Sequence, residues 1–141
     1  KAVCSGSPRR VTLGHNYLTD AVEVRLGGSF TRDETLSALH AVLGVVDVVG
    51  IEASDVNGVV HASHEGRNTM VIFDTVPGGA GHARRISESI PELFSAALGK
   101  VQHCDCGEET SCYGCLRSYR NQIDHERLTR ALAISVLSAL L

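Results

Sequence analysis

The sequence predicts an α+β fold: a mostly antiparallel sheet with packed helices, closed by a C-terminal four-cysteine zinc loop. Three observations predict it. Strand-like segments cluster in the first half around a single helix, while the second half reads as helices alone, and that segregation is the mark of an α+β layout. Asn57-Gly58, set between apolar runs, is the strongest short signal for a hairpin and hence for antiparallel neighbours. Four of the five cysteines lie in one stretch, Cys104-Asp-Cys106 and Cys112-Tyr-Gly-Cys115, which is the pattern of two close thiolate pairs on a metal-binding loop.

The elements follow in order. VTLGHNYL (11–18) and AVEVRL (21–26) alternate loosely and read as two strands, with Thr19-Asp20 at the turn and Gly27-Gly28 closing the second. Thr31-Arg-Asp-Glu34 is a capping box, so a helix starts at Arg32 and carries Leu36, Leu39 and Leu43 at helical spacing. VVDVV (45–49) is β-branched and fits either the last turns of that helix or a strand, and Gly50 ends it. IEAS (51–54) and VVHA (59–62) flank the Asn-Gly turn, and TMVIFDTV (69–76) forms a further strand ending at Pro77. A helix is expected from Ala80 to about Ser89. Pro91 opens a second helix that reaches Leu98, with Gly99 as its stop. Asp124 caps a last helix with Glu126 in its first turn. The apolar tail ALAISVLSALL is too short to span a membrane and is expected either to be buried or to dock on something else.

Composition sets the bounds. A length of 141 residues, 43% apolar and 21% charged, supports one domain with a real core. No repeat, linker or low-complexity tract divides the chain, so residues 1–141 are expected to form a single domain. No apolar run reaches the roughly 18 residues of a membrane span, and no signal-peptide pattern is present. The clustered cysteines suit a reducing compartment, and a cytoplasmic protein is expected; Cys4 stands apart as a buried apolar residue or a bystander. A net charge of −3 does not advertise nucleic acid. The arginines just after the cysteines, Arg117, Arg120, Arg127 and Arg130, either balance an anionic thiolate cluster on a solvated face or serve a ligand. The chain begins at Lys1 and enters a strand-like segment within about ten residues, which predicts a piece cut from a longer protein.

The cysteine loop is the most specific motif. Cys104 and Cys106, two apart, project to one side of an extended segment; Cys112 and Cys115 have knuckle spacing, and Gly114 permits backbone amides to turn toward sulfur. Five intervening residues make closure cheap. A soft thiolate tetrad suits Zn²⁺ or an iron–sulfur cluster, with a disulfide redox pair as a third reading. Zinc is the expected cofactor, and with four protein ligands it has no open position for substrate. His103 and His125 flank the loop, and either could donate to a thiolate. His61-Ala-Ser-His64-Glu65 lacks a third ligand and reads as exposed polar residues beside a turn.

Two other stretches carry chemistry. Asp74-Thr-Val-Pro-Gly78-Gly79-Ala-Gly81-His82 places glycines between a strand and a helix. They either allow tight packing or present free amides to an anion. The GK[ST] ending of a Walker A loop is missing, as is GxGxxG spacing. Asp74 and His82 could form an acid/base pair, which makes a phosphate-ester hydrolase the alternative function. After the knuckle, LRSYRNQ (116–122) interleaves Tyr119 with Arg117 and Arg120, a composition that can stack on bases and hold phosphates.

Taken together, LGHNYLTDAVEVRL, DTVPGGAGHA, C-x-C and SCYGCLRSYRNQIDH resemble the zinc-binding domain at the C-termini of DEAD/DEAH-box helicases of the mitomycin repair factor A type, from about Leu13 to the end. The resemblance implies that Cys104, Cys106, Cys112 and Cys115 are the metal ligands. It also implies that the parent chain is an ATP-dependent 3′-to-5′ superfamily 2 DNA helicase of repair or phage defence. On that expectation the domain's partners are the helicase core of its own parent chain and, through it, DNA. This chain carries no Walker A motif, DEAH box or motor, so the implied role is accessory, bracing the motor or guiding a strand, with no catalysis of its own.

Overall fold

The computed structural model describes residues 6–63 and 65–141; Cys4 and His64 lie outside the described residues. Three strands, β1 (Ala21–Arg25), β2 (Val56–Ala62) and β3 (Asn68–Asp74), form an antiparallel sheet of order β1-β3-β2. The register sets Val24, Met70 and Val60 in one row and Val22, Ile72 and Gly58 in the next. Met70 and Ile72 are fully buried, while Val59, on the opposite face, is half exposed. One face therefore meets the core and the other meets water, as antiparallel sheets allow.

Two expected strands and the expected hairpin do not form. Residues 11–18 have no strand partner and run as exposed coil, with Leu13 93% and Leu18 89% accessible. Loose alternation supplied the pattern there, but the apolar residues Val11, Leu13 and Leu18 bury too little surface to hold the segment on the outer edge of β1, where a fourth strand would add. Residues 51–54 are coil and turn, and Asn57-Gly58 lies inside β2 rather than at a turn. The reversal comes between Ala62 and Asn68, where Ser63 N–H donates to the Arg67 carbonyl at 2.8 Å. Gly58 is required for a different reason: a Cβ there would stand 2.8 Å from Leu39 Cδ1 and 3.2 Å from the Val71 carbonyl. The VVDVV run is neither α-helix nor strand. It makes a 3₁₀ turn over Val46–Val49, stopped by Gly50 at φ 72°.

Helix α1 (Arg32–Leu43) starts where the capping box places it. Thr31 N–H donates to Glu34 Oε2 at 2.7 Å, and Thr31 Oγ1 accepts from Glu34 N–H at 3.3 Å. It is the central helix, touching β2 and β3 on one side and the last two helices on the other. Residues Thr35 to Leu39 are buried without a break, and the two polar ones are satisfied: Thr35 Oγ1 by the Thr31 carbonyl, Ser37 Oγ by Thr129 N–H.

Helix α2 (His82–Glu88) is followed at once by α3 (Ile90–Gln102), which opens with Pro91 and runs through Gly99 rather than stopping there. Glycine in a helix costs about 1 kcal/mol relative to alanine; burying Val101 one residue pair further on offsets it. Helix α4 (Arg130–Leu140) is capped by Thr129, whose Oγ1 accepts from Leu132 N–H at 3.2 Å, not by Asp124. Residues Tyr119–Arg127 wind as 3₁₀ turns instead, and extended Leu128 separates them from α4. The apolar tail is amphipathic in place: Ala133, Val136 and Leu137 are buried against the core, Ser135 and Ser138 face out. Among the described residues no helix is long and apolar enough to cross a membrane.

Candidate metal centre

Cys104 and Cys106 leave the end of α3, and Cys112 and Cys115 sit on the turn leading into the 3₁₀ segment. The fold brings all four sulfurs within 4.8 Å of one another. The separations Cys104–Cys112, Cys104–Cys106, Cys106–Cys115 and Cys112–Cys115 are 3.5, 3.6, 3.7 and 3.8 Å. A regular tetrahedron with Zn–S bonds of about 2.3 Å has S···S edges of about 3.8 Å, so the cluster fits one such ion. No disulfide joins the four cysteines.

Backbone groups shape the knuckle. The N–H groups of Cys115, Leu116 and Arg117 converge on the Cys112 carbonyl at 3.1, 3.1 and 3.0 Å. Gly114 N–H donates to Cys112 Sγ at 3.3 Å and Cys112 N–H to Cys115 Sγ at 3.2 Å, which favours charge on sulfur. In the cluster of thiols the Cys104 pKa is lowered to about 7, first by the backbone amide of Cys106 and then by the Cys112 thiol. Burial pushes Cys106 up to about 12 and also raises Cys115. Four thiols packed this closely resist ionising together, and a dication removes that conflict.

The two flanking histidines do not serve the sulfurs. His103 Nδ1 lies 2.7 Å from the Gly99 carbonyl, and His125 Nε2 lies 3.1 Å from the Ser118 carbonyl and 3.0 Å from Asn121 Oδ1. The residue that reading the sequence undervalued is Arg130. Its guanidinium is buried and donates from Nε to the Val101 carbonyl at 2.7 Å, from Nη2 to the Gln102 carbonyl at 3.1 Å, and from Nη1 to the Cys106 carbonyl. It thereby caps the C-terminus of α3 and holds the first cysteine pair. In return, the Thr110 and Glu108 carbonyls of the cysteine loop accept the Arg130 and Ala131 N–H groups at 3.0 and 2.9 Å, capping α4. An arginine opening an otherwise apolar helix, just after a threonine cap, was the available signal.

The residues of the Arg/Tyr segment fare differently. Tyr119 is 84% exposed. Arg117 is half-buried, its Nε donating to Ser111 Oγ at 2.9 Å, and Arg120 reaches back to the Ala53 and Ser54 carbonyls at 3.2 and 3.3 Å. Arg127 is paired with Asp33 at 2.7 Å.

The glycine loop already holds an anion. Asp74, fully buried, accepts the N–H groups of Ala80, Ala83 and His82 at 2.6, 2.7 and 3.1 Å. Burial opposes its charge, but the three amides prevail and hold its pKa below the ordinary value. Gly78, Gly79 and Gly81 all have positive φ, and a Cβ at Gly79 would collide with the Asp20 carboxylate. The alternative Asp74/His82 acid/base pair is not formed: Asp74 takes the His82 backbone, and the His82 ring faces Asp55, with Nε2 3.7 Å from Oδ2. The amides that could have met a phosphate are used internally, so the hydrolase alternative is not favoured.

Known proteins are similar to this chain in sequence and in fold. Residues 38–116, which include all four cysteines, match the family described as the MrfA Zn-binding domain. The Druantia protein DruE of Escherichia coli (strain UMEA 4076-1) is 29% identical over 157 residues, covering 96% of this chain and 8% of that protein. The crystal structure of the DUF1998 helicase MrfA bound to DNA superposes with a TM-score of 0.61 at 20% identity, over 82% of this chain and 16% of that one. The same helicase bound to DNA and AMPPNP gives 0.63 at 20% identity, over 84% and 15%. At such identities the two structures establish the shared fold alone, and this chain spans a small fraction of the length of each relative. The cofactor is Zn²⁺, in keeping with both the family and the all-thiol cluster. By a match over more than half its length, the chain belongs to the MrfA Zn-binding domain family.

Proposed function

We propose that this chain is a zinc-stapled accessory module of an ATP-dependent DNA helicase, in which Cys104, Cys106, Cys112 and Cys115 hold the ion. The convergence of four sulfurs within 4.8 Å, on a loop that caps α4 and is gripped in turn by Arg130 of that helix, carries the reading. Bound there, Zn²⁺ supplies a four-way cross-link with no open coordination position. The module braces the motor of its parent chain and offers Arg117, Tyr119 and Arg120 to single-stranded DNA. Exposed Tyr119, flanked by cations that are not paired with carboxylates, supports the strand contact. The helicase MrfA, which shares this fold and was crystallised bound to DNA, supports the setting.

Elemental analysis of the purified chain should find one zinc per molecule in colourless protein; a brown iron-containing protein would overturn the metal assignment. Fluorescence anisotropy with labelled single-stranded DNA should show binding that weakens as salt rises. Arg117→Ala and Arg120→Ala should weaken that binding and flatten its salt dependence, with zinc content unchanged. Wild-type protein that shows no salt-dependent binding would leave bracing as the role.

A further inference from the structure

Beside the knuckle, between the C-terminal end of α1 and the start of β2, lies a cleft of about 350 Å³. Its walls carry Lys100, Arg117 and Arg120, together with His40, Asn57 and Tyr113, and no aspartate or glutamate lines it. In a chain of net charge −3 that composition stands out. Three other arginines are paired with carboxylates, Arg25 with Glu23, Arg84 with Glu88 and Arg127 with Asp33, whereas Arg32, Arg85 and Arg130 donate to backbone carbonyls singly rather than gathered round one concavity.

The three cleft cations are held by neutral acceptors instead. Lys100 Nζ donates to the Gly44 carbonyl at 2.8 Å, Arg117 Nε to Ser111 Oγ at 2.9 Å, and Arg120 to the Ala53 and Ser54 carbonyls at 3.2 and 3.3 Å. Among the described residues none of the three has a carboxylate within salt-bridge distance. Each side chain is thus fixed in place while its charge stays uncancelled, and donors remain on each: Lys100 has three N–H groups and a guanidinium five. Asn57 adds a donor, because its Oδ1 already accepts Gly58 N–H at 2.8 Å. Placed cations without counter-charge, around a concavity near the lower end of ligand-site volumes, are the chemistry of a preorganised phosphate site.

We propose that this cleft binds one phosphate group of a nucleotide, with the polynucleotide backbone as the favoured source and a free nucleotide as the other. The proposal rests on the zinc reading in one respect, since the knuckle residues Tyr113 and Cys115 form one wall. It places the contact in an open cleft that includes Lys100, not only on the exposed Tyr119 surface.

The zinc-loaded chain is titrated by fluorescence anisotropy with a labelled oligothymidylate, and by calorimetry with AMP and with inorganic phosphate. Two variants are compared: Lys100→Gln, which keeps a donor toward Gly44, and Ser54→Glu, which puts a carboxylate at an exposed position on the cleft wall. Lys100→Gln should weaken oligonucleotide binding roughly tenfold and lower the salt slope by about 0.7, one phosphate contact on a single strand. Ser54→Glu should weaken it at least as much, with zinc content and thermal melting unchanged in both. AMP competing with the oligonucleotide would identify the site as open to free nucleotides; oligonucleotide binding alone would assign the phosphate to the strand. Wild-type affinity in both variants, or no binding of any of the three probes, overturns the cleft. A chain lacking zinc would instead overturn the reading beneath it, and elemental analysis of the same samples separates the two failures.

Discussion

Arg130 and Asp74 are charges that the fold has taken inside, and each is held by backbone alone. Arg130 donates to three carbonyls, from Val101, Gln102 and Cys106; replacing it by methionine keeps the apolar stem but strands those acceptors. The expected loss is on the order of 3 kcal/mol, read by urea titration of the zinc-loaded protein. Asp74→Asn keeps the shape but removes the charge from the N-terminus of α2, at an expected cost of about 2 kcal/mol. The sign of the pH effect follows from the lowered pKa of Asp74. Its contribution is complete above the unfolded value, about 3.9, and is lost as pH falls through the folded value. Wild-type stability should therefore fall more steeply than that of Asp74→Asn below about pH 4. Parallel acid-melting curves for the two proteins would sink the assignment.

At the scale of elements, Gly58 decides how closely α1 approaches β2. Gly58→Ala would press a methyl group onto Leu39, itself fully buried, at a cost of about 1–3 kcal/mol. An Ala variant as stable as wild type, by thermal melting, would mean that α1 can slide. This glycine also shows where the sequence was legible and where it was not. Thr31 and Glu34 announced α1, because a capping box is a local, reciprocal device. Asn57-Gly58 announced a turn by the same local logic, but the glycine is there for Leu39, a neighbour in space that no local pattern names. Residues 11–18 failed for the complementary reason: alternation is local, whereas a strand needs a partner. The four cysteines were readable because metal-ligand spacing is itself a local signature; the grip of Arg130 on Cys106 spans 24 positions and was not.

For the whole molecule the metal is expected to act as a fold determinant of the C-terminal third. Chelation, or Cys112→Ala, should unfold residues from about 104 onward before the sheet, seen as loss of amide-exchange protection in α4 while β3 stays protected. Loss of DNA binding in a Cys112→Ala protein that keeps its α4 protection would reverse that order of importance. Acidification should act like chelation, since Cys106 and Cys115, whose thiol pKa values are raised, must lose their protons to bind the ion. Zinc affinity should rise with pH, with more than one proton released per ion; a pH-independent affinity would point to ligands other than these thiols.

The central position of α1 has a consequence in time. The helix is synthesised before α4, and one side waits for partners far along the chain: Thr129 reaches Ser37 across 92 positions, and Arg127 reaches Asp33 across 94. Until α4 has emerged, Leu39 and Val42 lie in a half-built core. Closing so long a loop is the slow step that non-local contacts impose. A metal that gathers residues 104 to 115 beforehand fixes the start of α4 next to the end of α3, so the final search is short. A nascent chain halted before Arg130 would leave α1 uncovered and prone to associate with other chains, whatever the metal supply.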